Sequence, residues 1–197
     1  MHILRNVLLA GLLLAVCSAA QQLKVRLDGD GLHVTAPTLR FITGKPLEQM
    51  RNGSAVVFDV QLIVADELRS IVRRSFERFV VSYDLWEEKY AVASVRSARS
   101  SASRLSSSAA EAWCIDHVAI FATGLPETKP LVFRLDVQAQ GGRRSTADAE
   151  EEEGLPLSSL IDIFSRVTKQ QDPQHWRLDS APVKLADLRK LSGRNGH

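Results

Sequence analysis

The sequence predicts a mainly β fold: an antiparallel β-sandwich, immunoglobulin-like in general architecture, with two peripheral helices. Three observations predict this class. Roughly seven stretches are rich in apolar and β-branched residues, and most of them alternate between apolar and polar side chains. Turn residues separate several neighbouring stretches, as in successive hairpins. A repeated strand–helix–strand order, which would indicate a doubly wound fold, does not occur.

The composition is that of one globular domain. The chain has 197 residues, of which 45% are hydrophobic and 24% are charged. Its 25 lysine and arginine residues against 23 acidic residues give a formal net charge of +2. A nucleic-acid-binding surface needs a marked basic surplus, so nucleic acid is not a predicted partner. We predict one β-rich domain over residues 21–190, with a charged mobile insertion at 141–154 and a flexible tail at 191–197.

The first twenty residues have the pattern of a signal peptide. Met1–Arg5 carries a positive charge, and Val7–Val16 is an uninterrupted apolar stretch that is too short to span a bilayer. Ser18 and Ala20 then place small residues before a cleavage site that precedes Gln21. We therefore predict an exported chain with no membrane span, located in the periplasm, at the cell envelope or outside the cell. The alternative, a buried N-terminal helix, would need polar residues on one face.

Cys17 gives the leader a second interpretation. Bacterial lipoproteins are cut before a cysteine that follows a short apolar box, and Leu14–Val16 precedes Cys17 here. Lipidation of Cys17 would tether the domain to a membrane, although Val16 stands where the processing enzyme prefers a small residue. Removal of the leader leaves Cys114 as the one cysteine of the mature chain, so no internal disulfide is predicted.

Strand patterns cover most of the first half of the domain. Leu23–Leu27 and Leu32–Ala36 flank the turn residues Asp28–Gly31, which predicts a hairpin. Ser54–Ala65 alternates so that one side is wholly apolar, and it is predicted to be a long strand. One helical turn is predicted before it, at Pro46–Met50.

A second hairpin is predicted from strands at 76–85 and 89–95, joined by a turn at 85–88. Opposite charges and paired aromatic rings on facing strands fix their register. The predicted turn sets one facing pair of each kind: Asp84 with Lys89, and Tyr83 with Tyr90.

The second half mixes strands with helices. Arg96–Ser108 is rich in serine and poor in large apolar residues, so an exposed loop is predicted. A helix is predicted from Ser108, where Ser108 and Glu111 fit a capping box, to about His117. Alternation and helical spacing predict the rest: extended residues at Val118–Ala122, a strand at Leu131–Gln140, an amphipathic helix at Pro156–Val167, and a strand at His175–Ser180.

Cys114 and His117 are candidate catalytic residues, because they stand three positions apart on one face of the predicted helix. A thiol beside an imidazole can act as nucleophile and base, or can supply part of a metal site. Glu111 and Asp116 are near enough in sequence to orient the histidine. The alternative is structural: this helix face packs onto a sheet, and Cys114 is a small buried hydrophobe.

Other chemical motifs are weak or missing. The sequence contains no glycine-rich phosphate loop, no Gly-x-Ser-x-Gly elbow and no His-Glu-x-x-His motif, and no cofactor is predicted. Asp28–Gly31 starts like a calcium loop but lacks the closing glutamate, so a hairpin turn is expected. Glu150–Glu153 is interpreted as part of a solvated charged insertion, and no metal site is predicted.

Trp86 is the candidate binding residue. It lies in the turn of the second predicted hairpin, where burial is not assured. An exposed tryptophan between charged residues suits a contact with a protein partner. The alternative is that its ring packs into the core, as aromatic side chains in hairpins usually do.

The same hairpin carries a family resemblance. Residues 81–92, with the sequence VSYDLWEEKYAV, are similar to the signature hairpin of a bacterial exported family called domain of unknown function 4390. The segments GKPL at 44–47 and WRLDS at 176–180 resemble further features of that family, so the resemblance covers residues 23–188. The acidic insertion and the serine-rich segment depart from the family pattern. The resemblance implies an exported β-rich domain, no known activity and no catalytic residue.

These observations favour a non-enzymatic binding or accessory module of the bacterial cell envelope, with another envelope protein as its partner. Two alternatives stay open. One is an enzyme that uses Cys114 and His117 as nucleophile and base. The other is an envelope assembly factor that is anchored by a lipid at Cys17.

We expect the mature protein to begin at or near Gln21 and to be recovered without detergent, because the apolar leader is too short to hold it in a bilayer. The intact mass of the purified mature chain measures this start. Recovery mainly in the membrane fraction, with a lipid-modified Cys17 as the first residue, would contradict the prediction and support the lipid-anchored alternative.

Overall fold

The computed structural model of the chain describes residues 23–96, 100–140 and 174–194. In these ranges, ten strands form two antiparallel sheets that pack together, accompanied by three helices, so the predicted mainly β sandwich class is confirmed. The smaller sheet has the order β1–β2–β7, with β1 at Lys24–Asp28, β2 at Gly31–Thr35 and β7 at Ile120–Phe121.

The larger sheet has seven strands. From one edge to the other, five of them follow the order β8–β3–β4–β5–β6, and β9 and β10 both pair with β8 on its far side. Their bounds are β3 Val56–Ala65, β4 Ile71–Asp84, β5 Lys89–Ser94, β6 Ser101–Leu105, β8 Pro130–Gln140, β9 His175–Asp179 and β10 Val183–Lys184.

Strand β3 lies between β4 and β8 and pairs antiparallel with both. Its alternate side chains face the core, as the sequence predicts, and all of them are fully buried. Full burial of one such side chain stabilises the fold by about 1.5–3 kcal/mol. The long predicted strand is therefore the inner wall of the core, through Val56, Phe58, Val60, Leu62 and Val64.

The outer face of the larger sheet carries charged side chains in facing positions. Opposite charges that stand directly across two strands favour one register over its neighbours. Three such pairs occur at in-register positions: Arg78 with Asp59 (Nε to Oδ1, 2.6 Å), Arg177 with Asp136 (Nε to Oδ1, 2.7 Å) and Arg134 with Asp179 (Nε to Oδ1, 2.8 Å).

An aromatic cluster joins three parts of the chain that are distant in sequence. The ring of Phe41, from the loop after β2, meets the ring of Phe58 edge-on at 5.0 Å between centroids. The indole of Trp176, on β9, lies 6.2 Å from Phe41 and 6.5 Å from Phe58. Aromatic pairs in this distance range add about 0.5–1.5 kcal/mol beyond the apolar area that they bury.

The helices differ in part from the prediction. The helical turn predicted at Pro46–Met50 belongs to an eight-residue helix, α1, at Gly44–Arg51. The second helix, α2, spans Ser107–Asp116, and His117 is its C-cap, close to the predicted end. The predicted capping box is wrong, because Ser106 is the N-cap and accepts a hydrogen bond from the Ala109 N–H.

The third helix, α3, spans Leu185–Arg194 and was not predicted. The first four residues of the predicted flexible tail, 191–194, are therefore helical. Leu185 and Leu188 of this helix are buried in the core, whereas Asp187, Arg189 and Lys190 are exposed. The Ala186 N–H donates to the Glu127 carbonyl oxygen, which ties the helix start to the loop before β8.

The exposed loop predicted at Arg96–Ser108 is wrong over Ser101–Leu105, which forms β6. This strand pairs with β5 through backbone hydrogen bonds, and a register shift falls between Tyr90 and Val92. Its serine side chains are small and largely exposed, so pairing forms the strand without an apolar face in its sequence. The predicted leader, the insertion at 141–154 and the helix at Pro156–Val167 lie outside the described residues.

No helix within residues 23–96, 100–140 and 174–194 combines the length and the apolar character needed to cross a membrane. The other predicted strands are observed. The hairpin before β3, the extended segment near Ile120 and the strands β8 and β9 all lie at or near their predicted positions.

The β4–β5 hairpin has the predicted register. Tyr83 pairs with Tyr90, and their ring centroids are 4.8 Å apart. Asp84 pairs with Lys89, and the turn spans residues 85–88. The prediction that this hairpin places one charged and one aromatic pair side by side is confirmed.

We expect Tyr83→Ala to lower the free energy of unfolding by about 1–2 kcal/mol, because it removes the ring that packs on Tyr90. Tyr83→Phe, which keeps the ring, should retain most of the stability. Urea unfolding of both variants measures the difference. Equal stability of Tyr83→Ala and the parent chain would show that the ring pair contributes nothing to the hairpin.

Candidate functional site

The structure separates the two candidate catalytic residues. Cys114 lies on the core-facing side of α2 and is fully buried, and this burial raises the pKa of its thiol well above the ordinary value. His117 is exposed at the end of the helix, where its ring stacks on Trp113 with 3.7 Å between centroids. Its Nδ1 lies 2.8 Å from the Trp113 carbonyl oxygen, which can only accept, so Nδ1 carries a proton.

This arrangement does not suit nucleophilic catalysis. A reactive cysteine needs a stabilised thiolate and access to its substrate. Cys114 has neither, because it is surrounded by core side chains and because the nearby Glu111 charge further disfavours its ionised form. The structural interpretation of this helix face accounts for the position of Cys114.

Neither acidic neighbour orients His117. Asp116 instead accepts a hydrogen bond from Arg26, and its carbonyl oxygen lies 3.0 Å from His33 Nδ1. Glu111 points to the other side of α2, into the core. The two carboxylates that the sequence analysis grouped with the histidine therefore belong to two separate sets of contacts.

No group of three or more His, Cys, Asp or Glu side chains in the described part of the chain is arranged to hold a metal ion. Asp28–Gly31 is the predicted hairpin turn between β1 and β2, and Asp30 accepts a hydrogen bond from the Thr123 hydroxyl. Glu150–Glu153 and the lipidation candidate Cys17 lie outside the described residues.

Trp86 is at the tip of the β4–β5 hairpin, and 97% of its surface is exposed. The turn beneath it is held by Asp84, whose Oδ1 accepts the backbone N–H groups of Trp86 at 2.8 Å and Glu87 at 3.0 Å. The N–H groups of Glu87 and Trp86 lower the pKa of Asp84, so this carboxylate is ionised at neutral pH. The structure thus presents the indole to solvent on an ordered turn.

A second group of exposed apolar side chains was missed by the sequence analysis. Leu68 is 86% exposed in the β3–β4 turn, and Ile71 and Val72 follow it at the start of β4. Phe121, 72% exposed on β7, lies near this end of β4, because Arg73 donates to its carbonyl oxygen at 2.7 Å. The sequence does contain a signal for this group: the large apolar residues Leu68, Ile71 and Val72 lie in and beside a turn, where polar residues are usual.

A pocket of about 280 Å³ lies between the loop after β2 and the helix α2. Arg40 and Glu111 are its charged residues, and the rest of the wall is mainly apolar. Glu111 is only 1% exposed, and its Oε1 accepts two loop N–H groups, from Phe41 at 2.7 Å and from Ile42 at 2.9 Å.

Burial raises the pKa of the Glu111 carboxyl group, while the N–H groups of Ile42 and Phe41 and the charge of Arg40 oppose that rise. Because the pKa is higher in the folded chain than in the unfolded chain, ionising this group costs more free energy in the folded state than in the unfolded state. Its contribution to stability therefore decreases as the pH rises from the ordinary glutamate pKa through the folded value. The sequence does not indicate this role, because Glu111 fits a capping box at the start of the predicted helix.

We expect Cys114→Ser to lower the free energy of unfolding by about 1–2 kcal/mol, because it buries a hydroxyl group at a site that is suited to an apolar side chain. The thiol of the folded parent chain should react with an aromatic disulfide reagent only as fast as the chain opens. Thermal unfolding and the pH dependence of the reaction measure the two effects. Fast reaction of folded protein below pH 7 would contradict the buried assignment and revive the enzyme alternative.

Comparisons with protein-family models, with curated proteins and with solved structures find no match to this chain. The resemblance of the hairpin to domain of unknown function 4390 stays a prediction from residues 81–92. The function of the protein is therefore inferred from its own side chains and their geometry.

Proposed function

We propose that the protein is an exported, non-enzymatic binding module of the bacterial cell envelope, and that it contacts another envelope protein through the tip of the β4–β5 hairpin. One observation carries the proposal: the indole of Trp86 is 97% exposed. Exposure of so large an apolar ring has no benefit for folding, whereas tryptophan is among the residues that dominate protein–protein binding energies.

The hairpin is suited to presenting this residue because its conformation is fixed before a partner arrives. Asp84 holds the turn, and the Tyr83–Tyr90 pair holds the strands below it. Glu87 forms an ion pair with Arg104 (Oε1 to Nη2, 3.1 Å), which links the turn to strand β6. An ordered contact loop loses less conformational freedom on binding and so binds more tightly.

The charges around the tip favour a protein over a nucleic acid or an anionic membrane. Three acidic residues, Asp84, Glu87 and Glu88, lie within two positions of Trp86 in the sequence. The neighbouring cations are Lys89 and Arg104, and Arg104 is already paired with Glu87. Acidic side chains repel phosphate groups, so they oppose both of these alternatives. The indole N–H can also donate a hydrogen bond to an acceptor on a polar protein surface.

The two alternative functions differ in their support. The enzyme alternative is weakened because Cys114 is buried in the core, whereas His117, its proposed base, is exposed to solvent. Lipid anchoring at Cys17 is compatible with binding through Trp86, since the anchor would only fix where the same domain is held. The mass measurement described above separates an anchored chain from a free one.

We expect Trp86→Ala to weaken partner binding by at least about 30-fold, as for an interface hot spot, and to leave thermal stability unchanged. Phe121→Ala is the matched control, since it removes a large exposed aromatic side chain from the other sheet. The immobilised chain and both variants are compared by quantitative capture from envelope extracts, and the captured partner is then titrated.

Two results would contradict the proposal. Lower thermal stability of Trp86→Ala with unchanged capture would make Trp86 a structural residue. Equal loss of capture in Phe121→Ala and Trp86→Ala would show that binding follows exposed aromatic surface in general and is not localised at the hairpin tip.

A further inference from the structure

The pocket beside α2 has the size and lining of a small-molecule site. Its volume of about 280 Å³ is at the lower end of ligand pockets, so it suits a compact molecule. One side is formed by the loop after β2 and the other by α2. The apolar part of the wall consists of Val34, Ala36, Pro37, Leu39, Ala112 and Ile115.

One side chain that lines this pocket has a buried polar atom with no hydrogen-bond partner among the described residues. Glu111 Oε1 is used by the N–H groups of Phe41 and Ile42, but the buried Oε2 has no hydrogen-bond partner among the described residues. Within the described ranges, the cation paired with this oxygen is Arg40, whose Nη1 is 3.6 Å from Oε2. That nitrogen already donates to the carbonyl oxygens of Pro37 at 3.0 Å and Leu39 at 2.8 Å, so its hydrogen atoms are engaged elsewhere.

A buried acceptor without a donor is unfavourable, and native structures rarely leave one without a reason. The guanidinium of Arg40 and the two loop N–H groups stabilise the carboxylate form of Glu111 against part of the effect of burial, and the oxygens of a carboxylate can only accept hydrogen bonds. A molecule that enters the pocket, displaces the half-exposed Arg40 side chain from Oε2 and brings a donor would therefore satisfy this oxygen. A carboxylic acid would instead set a second negative charge against Glu111.

We propose that this pocket binds a small, mainly apolar molecule with one terminal hydrogen-bond donor, an alcohol or an amide N–H, which Glu111 Oε2 accepts. The apolar body lies against the aliphatic wall, and Arg40 stands beside the donor end. The site goes beyond the proposed contact at Trp86, which lies on another element and is not among the residues of the pocket.

Three probes with the same ring test this chemistry: benzyl alcohol, benzyl methyl ether and benzoate. Methylation removes only the donor, and benzoate replaces it with a negative charge. Binding to the full mature chain at pH 7 is followed by chemical shifts of the backbone amides, with Phe41, Ile42 and Glu111 as reporters. We expect benzyl alcohol to bind about tenfold more tightly than the ether, the effect of one hydrogen bond to a charged acceptor, and benzoate not to bind at these residues.

Two variants locate the effect. Glu111→Gln keeps an oxygen for the N–H groups of Phe41 and Ile42 but places an NH₂ donor where Oε2 was, so the preference for the alcohol should disappear. Ala112→Trp fills the pocket from an exposed helix position and should abolish binding of both neutral probes. Trp86→Ala should leave all three probes unaffected.

The proposal is overturned if the parent chain binds none of the probes at these residues or binds alcohol and ether equally. It is also overturned if Ala112→Trp still binds the alcohol with unchanged affinity. Two of the measurements do not use Glu111→Gln: the comparison of probes on the parent chain and the binding of probes to Ala112→Trp. The test is therefore decisive even if Glu111→Gln does not fold.

Discussion

The burial of one carboxyl group constrains a large part of this fold. Glu111 projects from α2 into the core, where a charge is tolerated only if its oxygens are compensated. The compensation comes from the backbone of residues 41 and 42, some seventy positions earlier in the chain. The loop after β2 is therefore held against α2, and Phe41 is placed where its ring meets Phe58 and Trp176. One side chain thus links a helix, a loop and, through Phe41, the aromatic cluster.

The two proposed binding surfaces depend on the same helix. On one side α2 packs against β2 and contributes the wall of the pocket; on another it packs against β5, a strand of the hairpin that carries Trp86. The turn that carries Trp86 and the loop that lines the pocket are both attached to packed elements, which suits recognition by preformed shape. Cys114 also helps to hold α2 in place, since its buried side chain packs in the core.

The sequence predicted those features whose causes are local. Alternation along residues 54–65 and 76–95 set the strands, and facing pairs such as Tyr83 and Tyr90 set the register. It failed where the cause is distant. β6 forms because β5 offers a backbone to pair with, and Glu111 is buried because loop N–H groups reach it from another part of the chain. The position of Trp86 in a turn was predictable, but its almost complete exposure depends on how neighbouring strands pack.

The edge strand β6 has a consequence for how the molecule behaves at high concentration. In the described part of the chain it pairs only with β5, so its outer backbone groups offer a template for another strand. The register shift beside Tyr90 and the left-handed backbone of Arg104, with φ of 61°, interrupt the regular spacing that such a template requires. Short serine side chains also give an incoming strand little apolar area to bury. The sheet is thereby protected against growth into β-aggregates when the protein is concentrated.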